Sequence, residues 1–259
     1  MKQKLAIIKI GGNVIENQEE LDKFLTNFSK MSGPRILVHG GGKLATQLAT
    51  RLGIKSKLMN GRRITDVESL EVITMVYGGL TNKNIVAKLQ SKNINAIGLS
   101  GADGNSIAAH KRPKKEIDFG FVGDIDTVNS TTINTLLNGN LVPVYCALTH
   151  DGSGQLLNTN ADTIASEIAI GMSPYFETTL YFCFEKKGVL MDITDENSVV
   201  KNINPSTYKK LLDEGVITEG MLPKLENCFH ALKNDVDNVC IGDIGMIDPN
   251  TTLFTTITK

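Results

Sequence analysis

The sequence predicts an α/β protein whose mainly parallel sheet is covered by helices on both faces. Three observations carry this. Strand-like and helix-like stretches alternate from end to end of the 259 residues. The first two strands run into glycine clusters, Gly11-Gly12 and Gly40-Gly41-Gly42. The composition is that of an ordinary globular chain, 41% hydrophobic, with enough residues for one large domain or two small ones. Strands separated by helices imply parallel pairing, because parallel neighbours need a long crossover.

Taken in order, Leu5 to Ile10 is a strand ending in Gly11-Gly12. Leu21, Phe24, Leu25 and Phe28 then recur at helical spacing over Glu19 to Ser29. Ile36 to His39 is the second strand, and Lys43 to Leu52 the next helix. A long helical region follows Thr65, then strand Ala96 to Leu99, helix Thr131 to Leu137, strand Leu141 to Tyr145 and helix Asp162 to Ile170. Two stretches break the rhythm as hairpins and candidate lids: KLMNGRRIT, residues 57–65, with its Asn-Gly pair, and DFGFVGDID, residues 118–126. Gly171-Met172-Ser173-Pro174 punctuates a helix end, which places a division near residue 175. Beyond it come the buried strand Thr179 to Phe184, helices over Pro205 to Glu214 and Lys224 to Leu232, and the strand Val236 to Ile241.

Charge and composition exclude several classes. Lysine and arginine total 27 against 28 acidic residues, so no overall field attracts nucleic acid or an anionic membrane. HKRPKKE, residues 110–116, is basic but carries no aromatic platform and reads as a solvated loop. Cys146, Cys183, Cys228 and Cys240 form no C-x-x-C pair and read as reduced core residues; the four histidines show no ligand spacing, so no metal site built by the protein is expected. Without a signal segment or a long apolar run, a cytoplasmic location is expected.

The glycine clusters sit where ligands of parallel α/β sheets collect, outside the carboxyl ends of the strands. Helix N-termini there offer free N–H groups to phosphate or carboxylate, and glycine lets the anion approach. Neither cluster fits G-x-x-x-x-G-K-[ST] or G-x-G-x-x-G. Lys9 interrupts a strand expected to be buried on both faces, where a charge is expensive unless an anion meets it. Asn158, Asn160 and Asp162 crowd one helix start, and capping accounts for only one of the three.

KIGG at 9–12, HGGG at 39–42, NGRRIT at 60–65, LSGADG at 99–104, DFGFVGDI at 118–125, LNTNAD at 157–162 and EGMLPKLE at 219–226 resemble, in order and spacing, the N-acetylglutamate kinases of the amino-acid kinase superfamily. The resemblance implies a three-layer α/β/α sandwich. Residues 1–175 would bind the acylated amino acid, residues 176–259 would bind ATP, and the protein would be a homodimer. It further implies transfer of the ATP γ-phosphoryl to the side-chain carboxylate of an N-acylglutamate, nominally N-acetyl-L-glutamate, in arginine biosynthesis. Magnesium follows from the ATP chemistry. By the same resemblance Lys9 and Lys224 flank the transferring phosphoryl group and Asp162 holds the lysine heads. Gly11, Gly12, Gly41 and Gly42 give N–H contacts to the phosphates and the reacting carboxylate. Arg63 and Asn158 hold the α-carboxylate and acylamino group, with Asn160 beside them. Lys224 stands near a helix start, where the dipole disfavours a cation, and this supports a ligand role.

The departures are local. Arg62 adds a charge to the substrate hairpin and raises a second acceptor, N-succinyl-L-glutamate, whose extra carboxylate it would meet. FCFEKKGVLMD, residues 182–192, stands where the family usually has an Asp followed by small residues and G-[IV]-L, so by the same resemblance Glu185 and Lys186 are expected to alter contacts to the adenine or ribose, and CIGDIGMIDPN, residues 240–250, lacks the family's D-G-R-x-x-H pattern. No helix precedes the first strand, so arginine feedback is not expected. Carbamate, uridylate and aspartate kinases are the rivals within the superfamily, and a catalytically silent nucleotide-binding regulator is the rival outside enzymology. Arg63 with LNTNAD argues against the former, and Lys9, Asp162 and Lys224 against the latter.

Overall fold

The structure is a computed structural model that describes residues 2–59, 62–217, 221–248 and 250–259, without the side chains of Arg62 and Pro223. In chain order its elements are β1 (Lys4–Ile10), α1 (Gly12–Glu16), α2 (Gln18–Lys30), β2 (Arg35–His39), α3 (Gly42–Arg51), β3 (Lys57–Met59), β4 (Arg62–Ile64) and α4 (Val67–Ile73). A π-helical stretch over Thr74–Thr81 leads into α5 (Asn82–Gln90). There follow β5 (Ala96–Leu99), β6 (Ile107–Lys111), β7 (Gly123–Val128), α6 (Ser130–Asn138), β8 (Val142–Cys146), β9 (Leu148–His150), β10 (Leu156–Asn158) and α7 (Ala161–Met172). The chain ends with β11 (Glu177–Cys183), β12 (Asn202–Ile203), α8 (Pro205–Asp213), α9 (Leu222–Lys233), β13 (Asn238–Gly242) and β14 (Thr255–Ile257).

Two compact units emerge, one of residues 1–36 with 165–259 and the other of residues 37–164. In the first, the strands lie in the order β12-β14-β13-β11-β1, parallel except for β13 against β14 among the described residues. Ile7, Ile8 and Ile10 of β1 are wholly buried, as a strand with both faces covered requires. Helix α2 turns Leu21, Phe24, Leu25 and Phe28 inward, and Asn17 caps it by accepting from the Glu19 and Glu20 N–H groups.

The second unit carries the parallel order β2-β8-β5, the hairpin β3-β4, and a four-stranded sheet β10-β9-β6-β7. Its strands β2, β8 and β5 are those the sequence predicts: β5 has the expected bounds, β2 begins one residue earlier and β8 is shifted by one. The hairpin over residues 57–65 forms as expected, although its Asn60-Gly61 turn lies outside the described residues.

The expected hairpin over residues 118–126 does not form. Gly120 has φ +70°, which ends extended backbone there, and β7 starts only at Gly123 and pairs antiparallel with β6. HKRPKKE is likewise not a solvated loop throughout: His110 and Lys111 belong to β6, and Arg112 grips Asp124 through Nε and Nη2 at 2.6–3.1 Å. The aromatic residues between serve as cation platforms, Lys111 lying 4.7 Å from the Phe121 ring and Arg112 5.6 Å from that of Phe119. All four cysteines are buried thiols, none in a disulfide.

Candidate active site

In the first unit, β1 ends at Ile10 and α1 begins at Gly12, so Gly11 occupies the helix cap with extended backbone. Lys9 sits one residue inside the strand and is only 8% exposed. Lys224 is the third residue of α9, whose first turn contains no acid. The structure brings these two lysines together on one aromatic ring: their Nζ atoms lie 5.4 Å (Lys9) and 3.8 Å (Lys224) from the centroid of Phe184. Glu219 and Gly220 of the EGMLPKLE motif lie outside the described residues.

In the second unit, β2 delivers His39 and the glycines to the start of α3. His39 is fully buried, its Nδ1 donating to the Gly40 carbonyl (2.8 Å) and its Nε2 accepting from Asn82 Nδ2 (3.0 Å). Asn82 Nδ2 also donates to the Val144 carbonyl at 2.9 Å. Burial pushes the His39 imidazole down to about 4, so the loop of glycines is braced by a neutral ring. Gly41 has φ +157°, and a Cβ there would stand 2.9 Å from Cδ1 of Tyr77. Tyr77 comes from the π-helical stretch, and burial raises its phenol while the charge of Arg63 pulls the other way.

Arg63 reaches back from β4 to the same helix start. Its Nη2 donates to the Gly42 carbonyl (2.9 Å) and to Thr46 Oγ1 (2.6 Å), and its Nη1 to Ser56 Oγ (2.7 Å). Asn158 Nδ2 donates to Thr65 Oγ1 at 2.9 Å, and Thr65 is locked in turn: its N–H donates to the Phe119 carbonyl and its carbonyl accepts from Phe121. Thus Arg63 joins the hairpin to Gly42 at the start of α3, while Asn158 of β10 holds Thr65, two residues beyond Arg63. Asn160 accepts from the N–H groups of Asp162 (2.7 Å) and Thr163 (3.3 Å), so its side-chain oxygen caps α7. Asp162 lies in the first turn of that helix, where the dipole favours an anion. The Arg62 side chain is outside the described residues.

Sequence reasoning passed over His39, Asn82, Tyr77, Thr65 and Phe184. A signal existed for Asn82, a polar residue at an inward helical position, and for His39, a titratable group inside a buried strand. Nothing in a single sequence points Phe184 at two lysines 175 and 40 positions away. Among the described residues no group of three or more His, Cys, Asp or Glu side chains is placed to hold a metal ion.

Residues 4–243 match the amino acid kinase family, and the chain belongs to it. The solved structures agree: a Streptococcus mutans protein, smu.665, superposes with a TM-score of 0.80 at 26% identity over 98% of each chain. Carbamate kinase from Giardia lamblia bound to AMP-PNP shares the fold with a TM-score of 0.71 at 13% identity, covering 99% of each chain. Within that family the chain is a member of the acetylglutamate kinases, being 54% identical over 241 residues to acetylglutamate kinase of Bacteroides fragilis, 93% of this chain and 92% of that one. The α/β fold and the kinase class expected from the motifs are therefore those of its relatives. The N-succinyl acceptor and the silent regulator find no support in these relationships.

Proposed function

We propose that the protein transfers the γ-phosphoryl group of ATP to the side-chain carboxylate of N-acetyl-L-glutamate, forming N-acetyl-L-glutamyl 5-phosphate for arginine biosynthesis. What supports this reading above all is the 54% identity, over 93% of the chain, to a protein named acetylglutamate kinase.

The chemistry fits the side chains. A glutamyl carboxylate with a pKa of about 4.3 is already ionised at neutral pH, so the nucleophile needs no base. What remains is to hold two anions together and to stabilise charge on the transferring oxygens. Lys9 and Lys224 supply that charge, Gly11 and Gly12 supply N–H groups to the phosphates, and Asp162 orients the lysine heads without taking a proton. Gly41 and Gly42 meet the reacting carboxylate. Arg63 turns its planar fork to the α-carboxylate, and the Asn158 amide receives the acylamino group. Magnesium would enter as part of the MgATP substrate and would help neutralise the phosphate charge, a role that needs few protein carboxylates. Residues 1–175 serve the acyl amino acid and residues 176–259 the nucleotide; Lys9, Gly11 and Gly12 lie in the former segment while sharing a compact unit with residues 176–259. The protein acts in the cytoplasm as a homodimer; among the described residues no helix is long and apolar enough to cross a membrane.

The test is ATP- and magnesium-dependent acyl phosphate formation, trapped as hydroxamate, with N-acetylglutamate and free glutamate side by side. Hydroxamate from the acetylated acceptor alone is expected, falling at least 100-fold in Lys9→Met and Lys224→Met. Equal turnover of free glutamate, or no product from either, refutes the assignment.

A further inference from the structure

Phe184 has no part in the chemistry above, yet it touches both lysines that do. Lys9 of β1 pairs in register with Phe182 of β11. Side chains alternate along extended backbone, so Phe184 follows Phe182 onto the same face as Lys9. The two phenylalanine rings stack, with centroids 6.1 Å apart and planes 14° from parallel. The Phe184 N–H donates to the Gly242 carbonyl at 2.8 Å, which ties its backbone to the end of β13. Stack and backbone bond together fix a ring with Lys224 Nζ at 3.8 Å and Lys9 Nζ at 5.4 Å from its centroid.

Two ammonium groups drawn to one place repel, and negative charge density beside them offsets that repulsion. The face of an aromatic ring carries partial negative charge and attracts each cation. A ring accepts no strong hydrogen bond, so it does not compete with phosphoryl oxygens for the N–H donors of the ammonium groups. We propose that Phe184 is a positioning residue: its ring face clamps the Lys9 and Lys224 ammonium groups together, ready to flank the transferring phosphoryl group. This rests on the reading of Lys9 and Lys224 as the phosphoryl-binding pair.

The experiment uses the full chain with N-acetylglutamate and MgATP. Phe184→Leu keeps apolar bulk and removes the ring; Phe184→Tyr keeps the ring. A third series replaces Phe184 by phenylalanine carrying one, two or three ring fluorines, which drains the ring face with little change of shape. The expected result is a kcat about tenfold lower in Phe184→Leu, most of it recovered in Phe184→Tyr, with KM for N-acetylglutamate unchanged. Across the fluorinated series log kcat falls stepwise. In parallel, NMR of lysine-labelled protein reads the ring-current shift on the Lys224 ε-methylene, expected in wild type and lost in Phe184→Leu. A flat kcat across the fluorinated series, with Lys9→Met and Lys224→Met inactive, overturns the clamp alone. Active lysine variants overturn the underlying assignment instead, whatever the NMR shows. The fluorinated chains keep the ring's shape, so the test survives a Phe184→Leu chain that fails to fold.

Discussion

His39 makes the stability of the protein depend on pH in a window that can be calculated. Its imidazole is fully buried and braced between the Gly40 carbonyl and Asn82, and burial lowers its pKa from 6.5 to about 4. In the unfolded chain the same group takes up a proton near 6.5. Between these values the unfolded state binds more protons than the native state, so stability falls as pH falls. The effect is absent above pH 7, grows through pH 6 and 5, and is complete below about 4. Each pKa unit is worth about 1.36 kcal/mol, which makes the full loss ~3 kcal/mol. Carboxylates titrate in the lower part of the same range, so the test is a difference. Urea unfolding would be measured from pH 7.5 to 4.5 for wild type and for His39→Gln, which keeps an acceptor for Asn82 and cannot titrate. The variant starts less stable, having lost the bond to Gly40, but the gap should narrow as pH falls, and most of the narrowing should come between pH 6 and 4.5. Parallel curves across the window would refute the buried neutral imidazole.

Three further outcomes are expected. In Gly120→Ala the new Cβ would stand 2.1 Å from the Thr65 carbonyl at a backbone φ of +70°, so Thr65 must shift and release Asn158. Calorimetry should show a lower Tm, by several degrees, and KM for N-acetylglutamate should rise with little change in KM for ATP. Arg63→Lys keeps the charge but cannot span Gly42, Thr46 and Ser56 at once; steady-state kinetics should show KM for the acyl amino acid raised about tenfold or more, with the far-ultraviolet circular dichroism unchanged. Burial drives the thiols up, to about 12 for Cys146 and about 11 for Cys240, so a thiol reagent at pH 8 should label no cysteine in the native protein within minutes and all 4 in guanidinium.

The sequence was most legible where one physical signal governed. Buried β1 announces itself because five of its seven residues are aliphatic, and Lys9 stands out against them. The hairpin β3-β4 follows from an Asn-Gly pair, and α3 from the glycines ahead of it. Legibility failed where partners are distant along the chain. Residues 118–122 read as half of a hairpin because Phe119 and Phe121 alternate, whereas their alternation serves cations on β6 and the residue after it, and the bridge of Thr65 to Gly120. The small sheet β10-β9-β6-β7 was invisible for a similar reason: β9 and β10 have three residues each, too few to show a period. At the candidate site, charged and glycine residues were found because their chemistry is visible singly. Tyr77, Thr65 and Phe184 act only through what they touch, and touch is not written in spacing.

If Arg63 receives the substrate α-carboxylate as proposed, its three hydrogen bonds to Gly42, Thr46 and Ser56 give that binding a particular thermodynamic character. A long, flexible guanidinium normally surrenders rotamer freedom when it binds a ligand, at a cost of about 0.5–1.5 kcal/mol. Here that freedom is already lost, because the fork is anchored to the start of α3. An arriving carboxylate therefore exchanges contacts rather than creating order. A molecule without a carboxylate would gain nothing that offsets the bonds it would break, so on the proposed assignment neutral amides are expected to bind weakly.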